Sequence, residues 1–101
     1  MMNEEVVISC DVRDSETTEA LKQLFPDALC MQVNSITGVE IMNFIITIAT
    51  LYATVNASST IKDLLDYNKV EAKIGDVEVK GGYKHVLEIL DKYMQKPSED
   101  D

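Results

Sequence analysis

Two cysteines, Cys10 and Cys30, and one histidine, His85, are the residues of this 101-residue chain best suited to nucleophilic or metal chemistry. A thiol needs a base within hydrogen-bond reach, so catalysis would require the fold to bring His85 to one of them. Their spacing matches no metal-ligand pattern, and the cysteines form no C-x-x-C pair. Each lies in a strand-like run and reads as an ordinary buried thiol. His85 stands in the first turn of the final helical segment, one residue before its apolar stripe. It reads as a surface or half-buried structural histidine. No G-x-G-x-x-G, Walker, G-x-S-x-G or H-E-x-x-H motif is present, so no catalytic, cofactor-binding or metal residue is assigned.

A carboxylate cluster, Asp11, Asp14, Glu16 and Glu19, follows the first apolar run. It could meet a cation or a basic partner. A solvated helix start, where the dipole favours acids, explains it at less cost. The four residues are carried forward as a candidate partner-binding patch. Tyr52 and Tyr67 read as packing residues that keep their hydroxyls at the surface.

A chain of 101 residues makes one domain with a modest core. The formal charge is −9, from 18 acidic against 9 basic residues. That argues against a sequence-independent nucleic-acid binder, which needs a basic face. It suits a basic protein partner or an imitation of a nucleic-acid backbone. The N-terminus, Met1-Met2-Asn3-Glu4-Glu5, is acidic and resembles no signal peptide, so a reducing cytoplasm is the expected compartment.

The dominant feature is Ile41–Ile61, 21 residues without a charge in a chain that is 27% charged. Thr37-Gly38-Val39-Glu40 has the form of a capping box. The polar residues Asn43, Thr47, Thr50 and Thr54 recur at helical steps, while Ile41, Phe44, Ile45, Ile48, Leu51, Tyr52 and Val55 fill the remaining surface. The pattern predicts a long helix over 38–67. At ~1.5 Å per residue this would be about 45 Å long, more than a domain of this size spans without a bend. Asn56-Ala57-Ser58-Ser59-Thr60 is the place to bend, with Thr60-Ile61-Lys62-Asp63 as a second capping box. A membrane span is the rival reading of this stretch. It is opposed by eight polar residues in the window and by the lack of a basic cluster to set orientation. Ala49, Ala53 and Ala57, spaced by four, would let another backbone approach, and with Tyr52 they form the candidate interface of a homo-oligomer.

Around this helix, Val6–Cys10 reads as a buried strand. Asp14 or Ser15 caps a short helix that buries Ala20, Leu21, Leu24 and Phe25 and stops at Pro26. Leu29–Asn34 alternates as a second strand, giving a β-α-β unit whose two strands should be parallel. Val70–Ile74 and Val77–Lys80 form a hairpin around Gly75-Asp76, with Lys73 facing Glu78, Glu71 facing Lys80, and Val70, Ala72, Ile74, Val77 and Val79 inward. A last helix from Tyr83 to about Gln95 buries Val86, Leu87, Leu90, Tyr93 and Met94. The expectation is an α+β domain over 1–96 in the order β-α-β-α-β-β-α, with a four-stranded mixed sheet, followed by a disordered acidic tail over 97–101.

This order resembles the effector-associated constant component family of bacterial conflict systems, small accessory proteins encoded beside effector modules. The resemblance lies in a strand ending Ile8-Ser9-Cys10-Asp11, a short helix with Leu21 and Leu24, and Gly38-Val39-Glu40 opening a long helix. Leu64-Leu65 then ends that helix before the hairpin and final helix. It implies an adaptor or recruiting role without catalysis or cofactors, and it transfers no catalytic residues. Two readings compete within the same limits. One is a non-enzymatic module acting through protein partners and itself a homo-oligomer. The other is an acidic, phage-type inhibitor that blocks a basic enzyme surface.

Overall fold

In the computed structural model, which describes residues 5–34 and 36–95, the uncharged middle of the chain is not one helix. Glu40–Thr47 is a strand, Ile48–Ala57 a helix, and Ser59–Asp66 a second helix. In full, the elements are β1 (Glu5–Asp11), α1 (Ser15–Leu24), β2 (Leu29–Asn34), β3 (Glu40–Thr47), α2 (Ile48–Ala57), α3 (Ser59–Asp66), β4 (Glu71–Ile74), β5 (Val77–Val79) and α4 (Tyr83–Gln95). The described residues form a small α+β domain with four helices and one five-stranded antiparallel sheet, ordered β2-β3-β1-β4-β5. The acidic tail expected over 97–101 lies outside the described residues.

The long-helix expectation fails first at Glu40–Thr47, because a β-branched, uncharged run fits the interior of a sheet as well as a helix. With β1 on one side and β2 on the other, β3 satisfies its backbone in both directions. Phe44 and Ile46 are buried on the helix-covered face, while Ile41, Asn43 and Ile45 lie on the opposite face and are half-buried. The presumed capping box is instead the β2–β3 connection. Gly38 takes φ +87° there, a left-handed conformation that a glycine adopts without strain.

Thr47 converts strand to helix without an intervening turn. Its hydroxyl accepts from the Thr50 amide at 3.1 Å, which caps α2. Thr54 bonds back to the Thr50 carbonyl. The polar stripe that suggested one helix is therefore divided: Asn43 belongs to β3, and Thr47, Thr50 and Thr54 form the cap and first turns of α2. The expected break falls at Ser58, which ends α2 and caps α3 by accepting from the Ile61 amide. The cap is thus two residues earlier than the expected box at Thr60.

β1 and β2 run in the same direction, since each is antiparallel to β3, but they are not neighbours. β3 inserts between them and fills the sites where the expected parallel ladder would form. Cys10 and Cys30 consequently flank β3 from opposite sides, paired in register with Met42 and Phe44. Both are free thiols, and the expectation that both are buried is half wrong: Cys10 is buried and Cys30 is exposed. Burial pushes the Cys10 thiol up from its ordinary value, and its sulfur shares a 3.5 Å hydrogen bond with the Thr18 hydroxyl.

The hairpin has Lys73 opposite Glu78 and turns at Gly75 with φ +58°. β5 ends at Val79, so no Glu71–Lys80 ladder pair forms, and Lys80 lies 3.6 Å from Glu78 on its own side of the hairpin. Val77, expected inward, is 51% exposed because it sits at the open tip of the sheet's edge.

α3 ends in a left-handed Asn68, whose amide bonds the Leu65 carbonyl while Lys69 bonds Leu64, closing a Schellman motif. Asp66 then reaches forward and accepts from the Tyr83 amide at 2.9 Å, tying the start of α4 to the end of α3. A Cβ on Gly82 would meet this carboxylate, which would have to shift from its place beside the Tyr83 amide. Along α4, Val86 and Leu90 are fully buried, but Met94 is 39% exposed where the helix outruns its support.

Candidate functional site

The core shows which face of the sheet the helices cover. Val6, Ile8, Cys10, Phe44, Ile46, Ala72, Ile74 and Val79 all project to one side and are buried with Leu51, Val55, Ile61, Leu65, Val86 and Leu90. Among the described residues, no strand residue that points to the opposite side of the sheet is buried. The pairing register lays it out in rows. Leu29, Ile45, Val7, Lys73 and Glu78 run across all five strands, and Met31, Asn43, Ser9 and Glu71 form the next row. The face is therefore apolar over β2 and β3 and charged over β4 and β5.

On the charged side, the sheet bounds an open groove of about 510 Å³ whose wall includes Ser9, Asn43, Glu71, Lys73, Glu78 and Lys80. A shallower depression of about 270 Å³ shares Ser9 and Glu71 with it. The Ser9 hydroxyl donates to Asn43 Oδ1 at 2.7 Å. An amide oxygen cannot take up the hydroxyl proton, so this pair lacks the base that an activated serine needs. His85 is exposed on α4, with Nδ1 3.9 Å from Glu88. Among the described residues, no group of three or more His, Cys, Asp or Glu side chains could hold a metal ion.

The apolar side is different in kind. Every residue of β2 is exposed, on both faces of the strand, because the helical layer ends before reaching it. Leu29, Met31 and Val33 are 62%, 48% and 38% exposed on the open face, adjoining half-buried Ile41 and Ile45. β2 is also an edge, bonded to β3 alone. Scattered exposed leucines are ordinary in proteins. Five neighbouring apolar side chains on an uncovered sheet face form the sort of contiguous patch that marks contact with another molecule.

The residues singled out from sequence occupy other places. Asp11 is clamped by Arg13, whose guanidinium donates at 2.8 Å and whose backbone amide donates at 2.9 Å; these bonds hold the Asp11 carboxyl below its ordinary range. Asp14 caps α1, accepting from the Thr17 hydroxyl at 2.7 Å and the Thr17 amide at 3.2 Å, and it too is held low, by the hydroxyl first. Glu16 is exposed, and Glu19 lies 4.0 Å from Lys22. Two of the four acids thus serve the local turn and cap. Ala49, Ala53 and Ala57 are exposed along α2, and the Tyr52 hydroxyl donates to Asp91 on α4 at 3.4 Å. Of these residues Asp11 borders the open sheet face, in register with Ile41 and Val33, whereas Ala49, Ala53, Ala57 and Tyr52 belong to the helix that packs the other face. The signal that could have found that face is the alternation of Leu29, Met31 and Val33. The alternation gathers the three on one face of a strand, but sequence does not show whether a helix covers that face.

No protein-family model, characterised protein or solved structure matches the chain. Among the described residues, no helix is long and apolar enough to cross a membrane.

Proposed function

We propose that this protein is a non-enzymatic accessory or adaptor module that acts by binding another protein through the open face of its sheet. The observation that carries this reading is the uncovered apolar patch of Leu29, Met31, Val33, Ile41 and Ile45, on a sheet whose other face is packed by helices except over β2. A flat sheet with aliphatic side chains and a polar rim suits burial against a partner, as the core of an interface is depleted in charge. The resemblance in element order supplies a setting, a bacterial conflict or defence system. Its weight falls on the hairpin and final helix, because Gly38-Val39-Glu40 opens a strand.

The test is affinity capture from extracts of the source cell with wild type and Ile45→Glu as parallel baits. A protein retained by wild type and lost on the variant, at unchanged circular dichroism, is the expected result. Equal retention by both baits would remove the open face from the function. The formal charge of −9 favours a second reading, an acidic inhibitor of a basic enzyme surface. Under that reading, retention falls steeply with added salt and survives Ile45→Glu, since the contact is made by charge.

A further inference from the structure

From β2 and its surroundings, we infer that the partner of the β2 edge is a second copy of this chain, joined strand to strand about a twofold axis into one ten-stranded sheet. β2 is the least supported element of the fold. All six of its residues are exposed, and among the described strands it pairs with β3 alone. Edge strands that must stay single are shortened or guarded by charge. The opposite edge of this sheet is guarded in both ways: β5 has three residues, with Glu78 inside it and Lys80 following. β2 has six residues, Leu29-Cys30-Met31-Gln32-Val33-Asn34, with no charge, proline or glycine. Since one edge is open and the other guarded, pairing closes at a dimer instead of running on into a filament.

Charge and pattern together select the occupant. Two chains of formal charge −9 repel over most of their surfaces, and residues 28–34 offer a stretch where they can meet without opposing carboxylates. In an antiparallel pair centred on Met31, Leu29 faces the second copy's Val33, Met31 faces its own counterpart, and Val33 faces Leu29. Cys30 and Gln32 face each other on the other side. Shifting the centre by a residue in either direction removes an apolar partner from Leu29 or Val33. The Met31-centred register keeps all three apolar pairs, and it extends the apolar rows of the open face from one copy into the next. Asp27 falls beyond the last pair of this ladder.

This inference shares β2 with the adaptor reading but concerns its edge, so the two can fail separately. The experiment is light scattering and sedimentation equilibrium on the full chain across a wide concentration range. The expected mass is twice 11.3 kDa for wild type. Met31→Lys sets two ammonium groups opposite each other at the axis and should yield monomer with unchanged circular dichroism, because the side chain is exposed in the single chain. Leu29→Lys and Val33→Glu should each weaken the dimer roughly tenfold or more, as the axis repeats every loss. The double variant L29K/V33E should regain much of that affinity, since each lysine then faces a glutamate of the other copy. Ala53→Glu, on the exposed face of α2, should leave the dimer intact. A wild-type monomer at every concentration overturns the inference, as does a dimer indifferent to Met31→Lys or one dissociated by Ala53→Glu. Failure of L29K/V33E to regain affinity overturns the register. A monomeric wild type that still loses its captured partner on Ile45→Glu would leave the adaptor reading standing alone.

Discussion

Alanine substitutions at Phe44, Ile45 and Ile46 discriminate between a strand and a helix in the middle of the chain. Phe44 is fully buried at the centre of the sheet, between Ile8 of β1 and Cys30 of β2 in register. Removing its ring leaves a cavity among Ile8, Leu51 and their neighbours that a packed core closes only in part. The expected cost is about 3–5 kcal/mol, a large share of the ~5–15 kcal/mol available to a domain of this size. Ile46, 7% exposed on the same face, should cost about 2–5 kcal/mol. Ile45 lies between them in sequence but projects to the open face, where it meets Val7 and Leu29 across the strands. Losing those pairs should cost about 0.2–1 kcal/mol each. Urea denaturation followed by circular dichroism reads all three values. Since ~1 kcal/mol moves the melting temperature of such a domain by roughly 4–8 °C, thermal melts separate them as well. If Phe44→Ala proves too unstable to measure, Phe44→Leu keeps the order of effects at smaller size. In a continuous helix, Phe44, Ile45 and Ile48 would share one apolar face. Equal destabilisation by Phe44→Ala and Ile45→Ala would therefore refute the strand.

Two further predictions concern the caps. Asp66→Ala removes the acceptor for the Tyr83 amide, and Gly82→Ala drives a Cβ into that same carboxylate. Asp66→Ala should cost about 1 kcal/mol, and Gly82→Ala should cost less in its presence than in the wild type, a coupling that a double-mutant cycle on thermal melts would detect and additive effects would contradict. The carboxyls of Asp11 and Asp14 titrate below the ordinary value of 3.8 because Arg13 and Thr17 donate to their charged forms. Their stabilisation is complete above that ordinary value and is lost as pH falls through the lower folded values. Asp14→Asn, which keeps a capping oxygen but cannot titrate, should flatten the fall in stability below pH ~4 that linkage assigns to this group; an unchanged acid limb would count against the capping geometry.

The parts of the fold legible in the sequence were those specified by near neighbours. The hairpin turn needs only a glycine at Gly75 and alternating residues on either side, and its Lys73–Glu78 pairing follows from that turn. α1 is announced by Asp14 and stopped before Pro26, and the break between α2 and α3 follows from side chains at 56–60 that compete for backbone hydrogen bonds. In each case a side chain acts on amides within about four residues, so the sequence contains the whole interaction.

The middle of the chain is where local information ran out. Met42-Asn43-Phe44-Ile45-Ile46-Thr47 satisfies a period of two and a period of 3.6 equally well, and Thr47 can cap a helix whether or not a strand precedes it. Only the presence of β1 on one side and β2 on the other, supplied by segments up to about 40 residues away in sequence, made the extended form the one with all its backbone bonds satisfied. The same insertion separated Cys10 from Cys30. It also carried β2 past the end of the helical layer, leaving the apolar face of Leu29, Met31 and Val33 exposed. By itself the sequence determined the chain's charge, its turns and its caps. The tertiary structure decided which apolar faces found a cover, because burial depends on neighbours from distant parts of the chain.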